Sequence, residues 1–449
     1  MVAAGLVCVP ALARAQTQVI SCKDLVSSTV GNATAQTVIL AGATANEGSG
    51  AGEAAAQAIA IAVGQGTQIL YVPTIPCTAI QQVVSRVAGP IPAELVGPSS
   101  IQTCWLANGV VPDGALSDIA PATCTANLGT PPLSPQGQVD ITGPVQATAL
   151  VVPGKSTEMA ISAAAAYVVF GFGGSTPVAP WTDPKAIFVP SKTSGPFNVL
   201  STAIGLAPGS WAPTITLAPG APLSLLALLE AKASVAEMAA DAAATSAPIG
   251  IVPVADAESL GADVTVLAYQ HTGQSCGYLP NSDAAHRDRI NVRQGRYALW
   301  TPLHAVFSVD ITGAFLDGTG APNESVALVA SVLQALGPAP RVASEVDAST
   351  LDAQSMTEAD AGDSAPPPAL DLQSAVRVAA LAGLTPWCAM QVTRAADLGP
   401  EASFQAPEPC TCYYESVLGE PLGLCTACRS NADCAGPTPT CRFGYCEVQ

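Results

Sequence analysis

Short apolar runs alternate with longer segments of helical period along most of the chain. The apolar run at residues 37–41 predicts a strand, and the Ala-rich segment at 51–63 predicts a helix. The pair repeats as a strand at 68–72 and a helix at 78–87. Strands that alternate with helices in this way are typical of an α/β fold with a largely parallel sheet, and we predict that fold class.

The pattern is interrupted once and then returns. Residues 88–146 are rich in Gly, Pro and Cys, which predicts irregular loops. Further strands are predicted at 147–152, 186–189, 249–254, 264–269 and 305–309, and further helices at 156–169, after Gly195 and at 324–336. Residues 344–369 are acidic and rich in Ser and Pro, which predicts a linker or surface insertion, and helical spacing resumes at 370–384.

Composition and charge narrow the classes of function. A chain of 449 residues is too long for one ordinary domain, and 49% hydrophobic residues provide a sizeable core. The 34 acidic residues outnumber the 16 basic ones, so a nucleic-acid partner is not expected, because phosphate backbones attract basic surfaces. Nowhere do about 20 apolar residues run uninterrupted, so we expect no membrane span.

The N-terminus predicts export. Residues 1–15 are apolar and end in Ala13 and Ala15, an A-x-A cleavage pattern before Gln16. We predict a signal peptide at 1–15 and a secreted or periplasmic protein, with a buried N-terminal strand as the alternative. A lipid anchor at Cys22 is less favoured, because the apolar run ends well before it.

The cysteines predict disulfide bonds. The chain has 14, and removal of Cys8 with the signal peptide would leave 13, so one would be free or paired between molecules, unless cleavage occurs elsewhere. Seven lie between Cys410 and Cys446, a segment too short to enclose a large apolar core. No histidine accompanies them, which favours disulfides over a zinc site. Because seven is odd, a partner outside the segment is expected, with Cys388 as a candidate.

Motifs for catalysis or cofactor binding are not evident. The Gly-rich loop at residues 41–50 could offer backbone N–H groups to an anion at a helix N-terminus, although an ordinary βα loop is the favoured interpretation of this motif alone. It lacks the Gly-Lys-Ser/Thr of a P-loop. His271, His286 and His304 show no metal spacing and are expected to be structural or exposed. We expect no enzyme, no catalytic residue, no cofactor and no metal.

Several segments in order resemble the phosphate ABC-transporter substrate-binding protein family, in a secreted, cysteine-containing bacterial branch. They are VILAGATA (38–45), DGALSDIAPATC (113–124), ITGPVQATALVVP (141–153), AISAAAAYVVFGFGG (160–174), IFVPSKTSGPF (187–197), IGIVPVAD (249–256) and INVRQGRYALWTPLHAV (290–306). The resemblance covers residues 22–340, and more loosely 371–415.

The resemblance implies an α/β, two-lobed periplasmic-binding-protein-like (type II) fold with a small disulfide-rich C-terminal segment. Residues 16–150 and 300–343 would form lobe I, and 151–299 lobe II, with an anion held in the cleft between them. Residues 344–369 would be an acidic linker, and 370–449 a helix plus a cysteine-rich tail.

The family's binding residues carry over in part. Thr44 and Ala45 match the loop position that donates a hydroxyl and an N–H, and Ser117 and Asp118 match a Ser-Asp pair whose Asp accepts the phosphate proton. The second loop of the family carries a serine that this chain lacks, and Thr78 is the candidate to take its place.

The third loop of the family reads Arg, three residues, then Ser-Gly-Thr. Here Pro190 replaces the Arg, and Ser194, Gly195 and Pro196 replace the Ser-Gly-Thr. Lys192 offers a charge without the planar guanidinium. The ligand-binding site is therefore expected to be partly eroded.

The function that follows is an extracytoplasmic solute-binding protein for phosphate or a related oxyanion, with a membrane transporter or cell-surface component as its partner. The alternative is a secreted or surface structural or interaction protein that keeps a ligand-less binding-protein scaffold. We also predict a disulfide between Cys104 and Cys124, which would close a loop of about 20 residues and pin the segment that carries Asp118.

Overall fold

A computed structural model describes most of the chain. The described residues are 20–30, 36–43, 51–88, 92–97, 100–106, 110–134, 136–172, 178–183, 186–190, 192, 194–212, 248–338, 370–421, 423, 425–435 and 440–447. The predicted signal peptide at 1–15 and the predicted linker at 344–369 lie outside them.

One ten-stranded sheet organises the fold, and its strand order is β4-β3-β2-β1-β5-β12-β6-β9-β8, with β10 paired to β6. Its strands are β1 (Gln36–Ala43), β2 (Thr67–Thr74), β3 (Pro92–Val96), β4 (Ile101–Trp105), β5 (Gly114–Ser117), β6 (Gln138–Pro153), β8 (Ile187–Phe188), β9 (Ile249–Pro253), β10 (Val264–Val266) and β12 (Trp300–Ser308). Two-stranded sheets are formed by β7 (Ala160–Ser162) with β11 (Ala268–Gln270), β13 (Val392–Arg394) with β14 (Glu401–Ser403), and β15 (Thr440–Arg442) with β16 (Tyr445–Glu447).

The α-helices pack on both faces of the large sheet or in the C-terminal segment. They are α1 (Cys22–Val30), α2 (Ala51–Val63), α3 (Pro76–Val84), α4 (Pro121–Leu128), α5 (Ala163–Phe172), α6 (Gly195–Ile204), α7 (Val254–Leu260), α8 (Ile290–Arg293), α9 (Glu324–Leu336), α10 (Leu372–Leu381) and α11 (Thr411–Val417). The α/β class is thus confirmed, and so are the helices predicted at 51–63 and 324–336.

The long strand β6 connects the two halves of the sheet. Its first part pairs with β12, where Ile141 lies opposite Ala305, and its last part pairs with β9, where Leu150 lies opposite Ile251. From Gly143 onward every residue of β6 is buried, as expected for a strand covered on both faces. The boundaries proposed for the two lobes, 16–150 with 300–343 and 151–299, remain a prediction.

Three predictions about the elements are wrong. The sheet is mixed rather than largely parallel, because β1 with β2, β1 with β5, and β8 with β9 are parallel while its other pairs are antiparallel. Residues 88–146 contain β3, β4, β5, α4 and the start of β6 rather than irregular loops only; these short elements are separated by the Gly- and Pro-rich turns that dominated the pattern. The helix predicted at 156–169 begins only at Ala163, after β7.

Six disulfides stabilise the described chain. The predicted Cys104–Cys124 pair is wrong: the structure pairs Cys22 with Cys104, and Cys77 with Cys124. The reason is packing, since α1 lies against the edge strand β4, and α4 lies against α3. Among the described residues Cys276 is free and exposed.

The disulfide-rich C-terminal segment is confirmed. It contains the pairs Cys388–Cys410, Cys412–Cys425, Cys428–Cys441 and Cys434–Cys446, so Cys388 is the predicted outside partner. Near the C-terminus the buried Glu447 accepts the backbone N–H groups of Cys412 and Tyr413, both at 3.0 Å, which ties the last strand to α11.

The C-terminal segment also binds the strand that connects the halves of the sheet. Val145 and Thr385 exchange backbone hydrogen bonds of 2.7 and 2.8 Å, and Trp387 Nε1 donates to the Gly143 carbonyl at 2.6 Å. No helix among the described residues is long and apolar enough to cross a membrane.

Candidate functional site

The carboxyl end of β5 holds a buried Ser-Asp pair. Ser117 is fully buried and Asp118 is 6% exposed. The Ser117 hydroxyl donates to the Ile119 carbonyl at 2.6 Å, which closes a tight turn after the strand. The Thr301 hydroxyl of β12 donates to the Asp118 carbonyl at 2.8 Å. These two bonds fix the backbone that presents the Asp118 side chain.

The Asp118 carboxyl group lacks the partners that a buried carboxylate usually has. Its Oδ1 is buried and accepts no hydrogen bond from the described residues. Burial, together with the charge of nearby Asp397, raises the pKa of Asp118 to about 7, although its own backbone N–H and the charge of His304 act to lower it. Asp118 therefore changes protonation near neutral pH.

The N-terminus of α6 lies directly against this carboxyl group. Ser194 is the N-cap, and its hydroxyl oxygen accepts the Phe197 N–H at 3.4 Å. A Cβ atom added to Gly195 would overlap the Asp118 carboxyl group, so this close approach requires glycine. The first N–H groups of a helix have no partner within it and carry partial positive charge, which makes this a suitable place for an oxyanion.

The structure thus brings four predicted residues together, Ser117 and Asp118 at β5 with Ser194 and Gly195 at α6. Thr78 lies in the first turn of α3, half-buried, on a helix that packs against β5. Thr44 and Ala45 lie outside the described residues.

The positive charge expected from the family is not built into this place. Pro190 is buried where the Arg would stand, and Pro196 at the second position of α6 has no N–H to donate. Lys192 is exposed, and its carbonyl accepts the Asn198 side-chain amide at 3.0 Å. The site consists of backbone and hydroxyl donors with one titrating carboxyl group.

An ion triad that the sequence did not predict lies next to Asp118, with His304 and Asp397 close enough for their charges to act on it. His304 of β12 lies between two carboxylates, with Nδ1 at 2.9 Å from Asp140 Oδ2 and Nε2 at 3.4 Å from Asp397 Oδ1. Burial disfavours the charged imidazolium, but the charges and hydrogen bonds of Asp140 and Asp397 outweigh it and raise the pKa of His304 to about 10. His304 is thus buried and paired with two carboxylates, which the sequence analysis did not predict.

Asp397 connects the C-terminal segment to the Ser-Asp turn. Its Oδ2 accepts the Ala120 N–H at 2.6 Å, at the start of α4, and lies 3.5 Å from the Thr123 hydroxyl. Only the register of β6 with β12 could have indicated the Asp140–His304 contact, and no local signal in the sequence points to Asp397.

Comparisons with known proteins give structural likeness only. No family model and no curated protein matches the chain. It is similar to a putative phosphate ABC transporter substrate-binding protein with bound phosphate from Clostridium perfringens, at 9% identity and TM-score 0.38, covering 66% of this chain and 91% of that one. It is similar to an ABC-type phosphate transport receptor from Vibrio cholerae, at 11% identity and TM-score 0.37, covering 66% and 92%.

The likeness also extends to full-length OxyR from Pseudomonas aeruginosa, at 6% identity and TM-score 0.33, covering 69% of this chain and 76% of that one. The functional conclusion rests on the residues of this chain.

Proposed function

We propose that the chain is an extracytoplasmic solute-binding protein that takes an oxyanion of the phosphate class beside Asp118, at the N-terminus of α6. One observation carries the proposal: the buried Asp118 carboxyl group, whose Oδ1 has no partner in the described chain, lies against Gly195 at the start of that helix. The six disulfides support an oxidising compartment outside the cytoplasm.

The chemistry of this pair selects for an oxyanion that carries a proton. Ionised Asp118 can only accept hydrogen bonds, so it accepts the proton of a hydrogen phosphate or hydrogen arsenate. The Gly195 N–H and the Ser194 hydroxyl then donate to the other ligand oxygens, since Pro196 has no N–H and the Phe197 N–H is bonded to Ser194. Sulfate has no proton to give at neutral pH, and its oxygens would face a carboxylate.

The same site predicts weak binding. A guanidinium that pairs with a buried anion commonly contributes about 3–5 kcal/mol when its removal is measured, and Pro190 stands in its place. Any remaining attraction from the exposed Lys192 is screened by salt. Phosphate affinity should therefore be modest and should fall with ionic strength.

Calorimetric titration with phosphate, arsenate and sulfate at pH 5 and pH 8 tests the proposal. At pH 8 Asp118 is ionised, and phosphate and arsenate should bind at least about tenfold more tightly than sulfate, a difference of about 1.4 kcal/mol. At pH 5 Asp118 is protonated and can donate to any of the three, so the discrimination should shrink.

The variant Asp118→Asn tests the role of the carboxyl group. Its amide can donate at both pH values, so the preference for phosphate and arsenate over sulfate should disappear. Asp24→Asn, on the exposed side of α1, is the matched control and should leave it unchanged. If folded protein binds neither phosphate nor arsenate, the ligand site is absent. The alternative of a structural or interaction protein, attached through its disulfide-rich C-terminal segment, would then be favoured.

A further inference from the structure

A cavity is lined by the ion triad of His304, Asp140 and Asp397. It has a volume of about 530 Å³ and is enclosed by β6, β12, the start of α4 and the C-terminal segment from Thr393 to Asp397. That volume lies within the range of cavities that hold small organic ligands. The C-terminal segment therefore forms one wall of the cavity, and strands β6 and β12 form another.

The charges at the cavity do not cancel. His304 lies between Asp140 and Asp397, so two carboxylates accompany one imidazolium. Arg394 also lines the cavity, but Glu401 pairs with its guanidinium at 2.5 Å. Three carboxylates therefore face two cations, which leaves one negative charge.

Asp140 is the most exposed of the three carboxylates. Its side chain is 28% exposed, against 23% for Glu401, which is paired with Arg394, and 9% for Asp397. Both Asp140 oxygens lie near His304 Nδ1, at 2.9 and 3.1 Å. A carboxylate offers about four acceptor positions, so Asp140 retains capacity for a donor that enters the cavity.

The remaining walls are largely apolar. Trp300, Trp387 and Phe404 line the cavity together with Pro302 and Ile141. Both indole N–H groups are already bonded, to Glu401 at 3.2 Å and to the Gly143 carbonyl at 2.6 Å. Trp300 and Trp387 are almost fully buried, and Arg394 covers the Trp300 ring at 4.0 Å. The carbon surface that a ligand can reach is therefore that of the half-buried Phe404 and Pro302, which favours a compact apolar body.

From this combination we infer that the cavity binds a small organic ammonium ion, with the ammonium group on Asp140 and an apolar or aromatic body against Phe404 and Pro302. The cavity shares His304 and Asp397 with the surroundings of Asp118, but the ammonium site rests on Asp140 and does not depend on the oxyanion proposal. The net negative charge disfavours a carboxylate or phosphate ligand, and a neutral ligand would leave that charge uncompensated.

Calorimetry on the full chain at pH 7.5 with three probes of one shape tests the inference. 2-Phenylethylamine carries the ammonium group, 2-phenylethanol replaces it by a neutral hydroxyl, and 3-phenylpropanoate replaces it by an anion. The amine should bind at least about tenfold more tightly than the alcohol, and the carboxylate should not bind.

Asp140→Asn should reduce amine affinity at least about tenfold, while Asp24→Asn should leave it unchanged. Circular dichroism and the melting temperature check that both variants fold. Should Asp140→Asn not fold, Phe404→Ala takes its place and should weaken the amine severalfold. The inference is overturned if the amine does not bind, if the alcohol binds as tightly, or if folded Asp140→Asn keeps full amine affinity.

Discussion

The two ends of β5 carry aspartates that are almost equally buried and have opposite surroundings. Asp113, just before the strand, is 7% exposed, and Asp118, just after it, is 6% exposed. Asp113 accepts the backbone N–H groups of Ile39 and Gly318, both at 2.6 Å, whereas Asp118 Oδ1 accepts none within the described chain. Asp113 therefore links β1 to the turn that follows β12. The Asp118 carboxyl group lies against the start of α6 and makes no hydrogen bond to it.

The pKa values express the same difference. Burial raises the pKa of Asp113 to about 6 and that of Asp118 to about 7. The Ile39 and Gly318 N–H groups hold the first value down, and the charge of Asp397 pushes the second up. Burial alone therefore does not distinguish a structural carboxylate from one available to a ligand; the number of donors around it does.

The largest expected effect is at the structural end of the strand. Asp113→Ala leaves the Ile39 and Gly318 N–H groups without their acceptor, and each such loss costs about 1–3 kcal/mol. The free energy of unfolding should fall by about 2–6 kcal/mol in urea at pH 7. Asp24→Ala on exposed α1 should change it by less than about 0.5 kcal/mol. Equal losses in the two variants would remove the structural role assigned to Asp113.

At the Asp118 end of β5 the substitution is expected to increase the free energy of unfolding. The pKa of Asp118 rises from 3.8 to about 7 on folding, so its contribution to stability is present below pH 3.8 and is lost as the pH rises through about 7. Asp118→Asn has no ionising group, so it does not lose this stability as the pH rises. It should stabilise the protein by up to about 4 kcal/mol above pH 7 and change little near pH 3.5.

Urea unfolding of both proteins across this pH range measures the difference. A stabilisation that does not grow between pH 4 and pH 8 would show that Asp118 is not a buried titrating group.

A smaller effect tests why the two pKa values differ. Asp397→Asn keeps an acceptor for the Ala120 N–H and removes a negative charge near Asp118. The pKa of Asp118 should move down, because that charge raises it. Carbon-13 NMR titration of the Asp118 carboxyl group follows it directly, with Asp113 in the same spectra as an internal reference. An unchanged or higher pKa would contradict the electrostatic account.

Local periodicity was sufficient for part of the fold. The bounds of α2 and α9 follow from the helical spacing of their alanines and valines, because a helix is specified by neighbours three and four positions apart. The mixed sheet and the Cys22–Cys104 pair depend on which distant segments lie side by side. Short apolar runs do not contain that information.

The candidate site was predictable only where a resemblance supplied the long-range contact. Asp118 and Gly195 belong to different halves of the sheet, and the family pattern placed them together. Asp140 and Asp397 belong to no motif, and they meet His304 through the register of β6 with β12 and through the path of the C-terminal segment. An ion triad of this kind cannot be inferred from single positions.

The smallest expected effect concerns ligand binding at the Asp118 end. Pro190→Arg with Pro196→Thr restores a guanidinium to the loop and an N–H and a hydroxyl to the first turn of α6. Phosphate affinity should rise at least about tenfold, or about 1.4 kcal/mol, by calorimetry at pH 8. The gain should be lost in high salt and when Asp118→Asn is added, since both act on the same charged ligand.

Pro190→Gln with Pro196→Thr is the matched control, because it changes the same positions without the positive charge. A folded double variant that still fails to bind phosphate would mean that the carboxyl end of β5 holds no anion site, and Asp118 would then be a buried acid without a ligand.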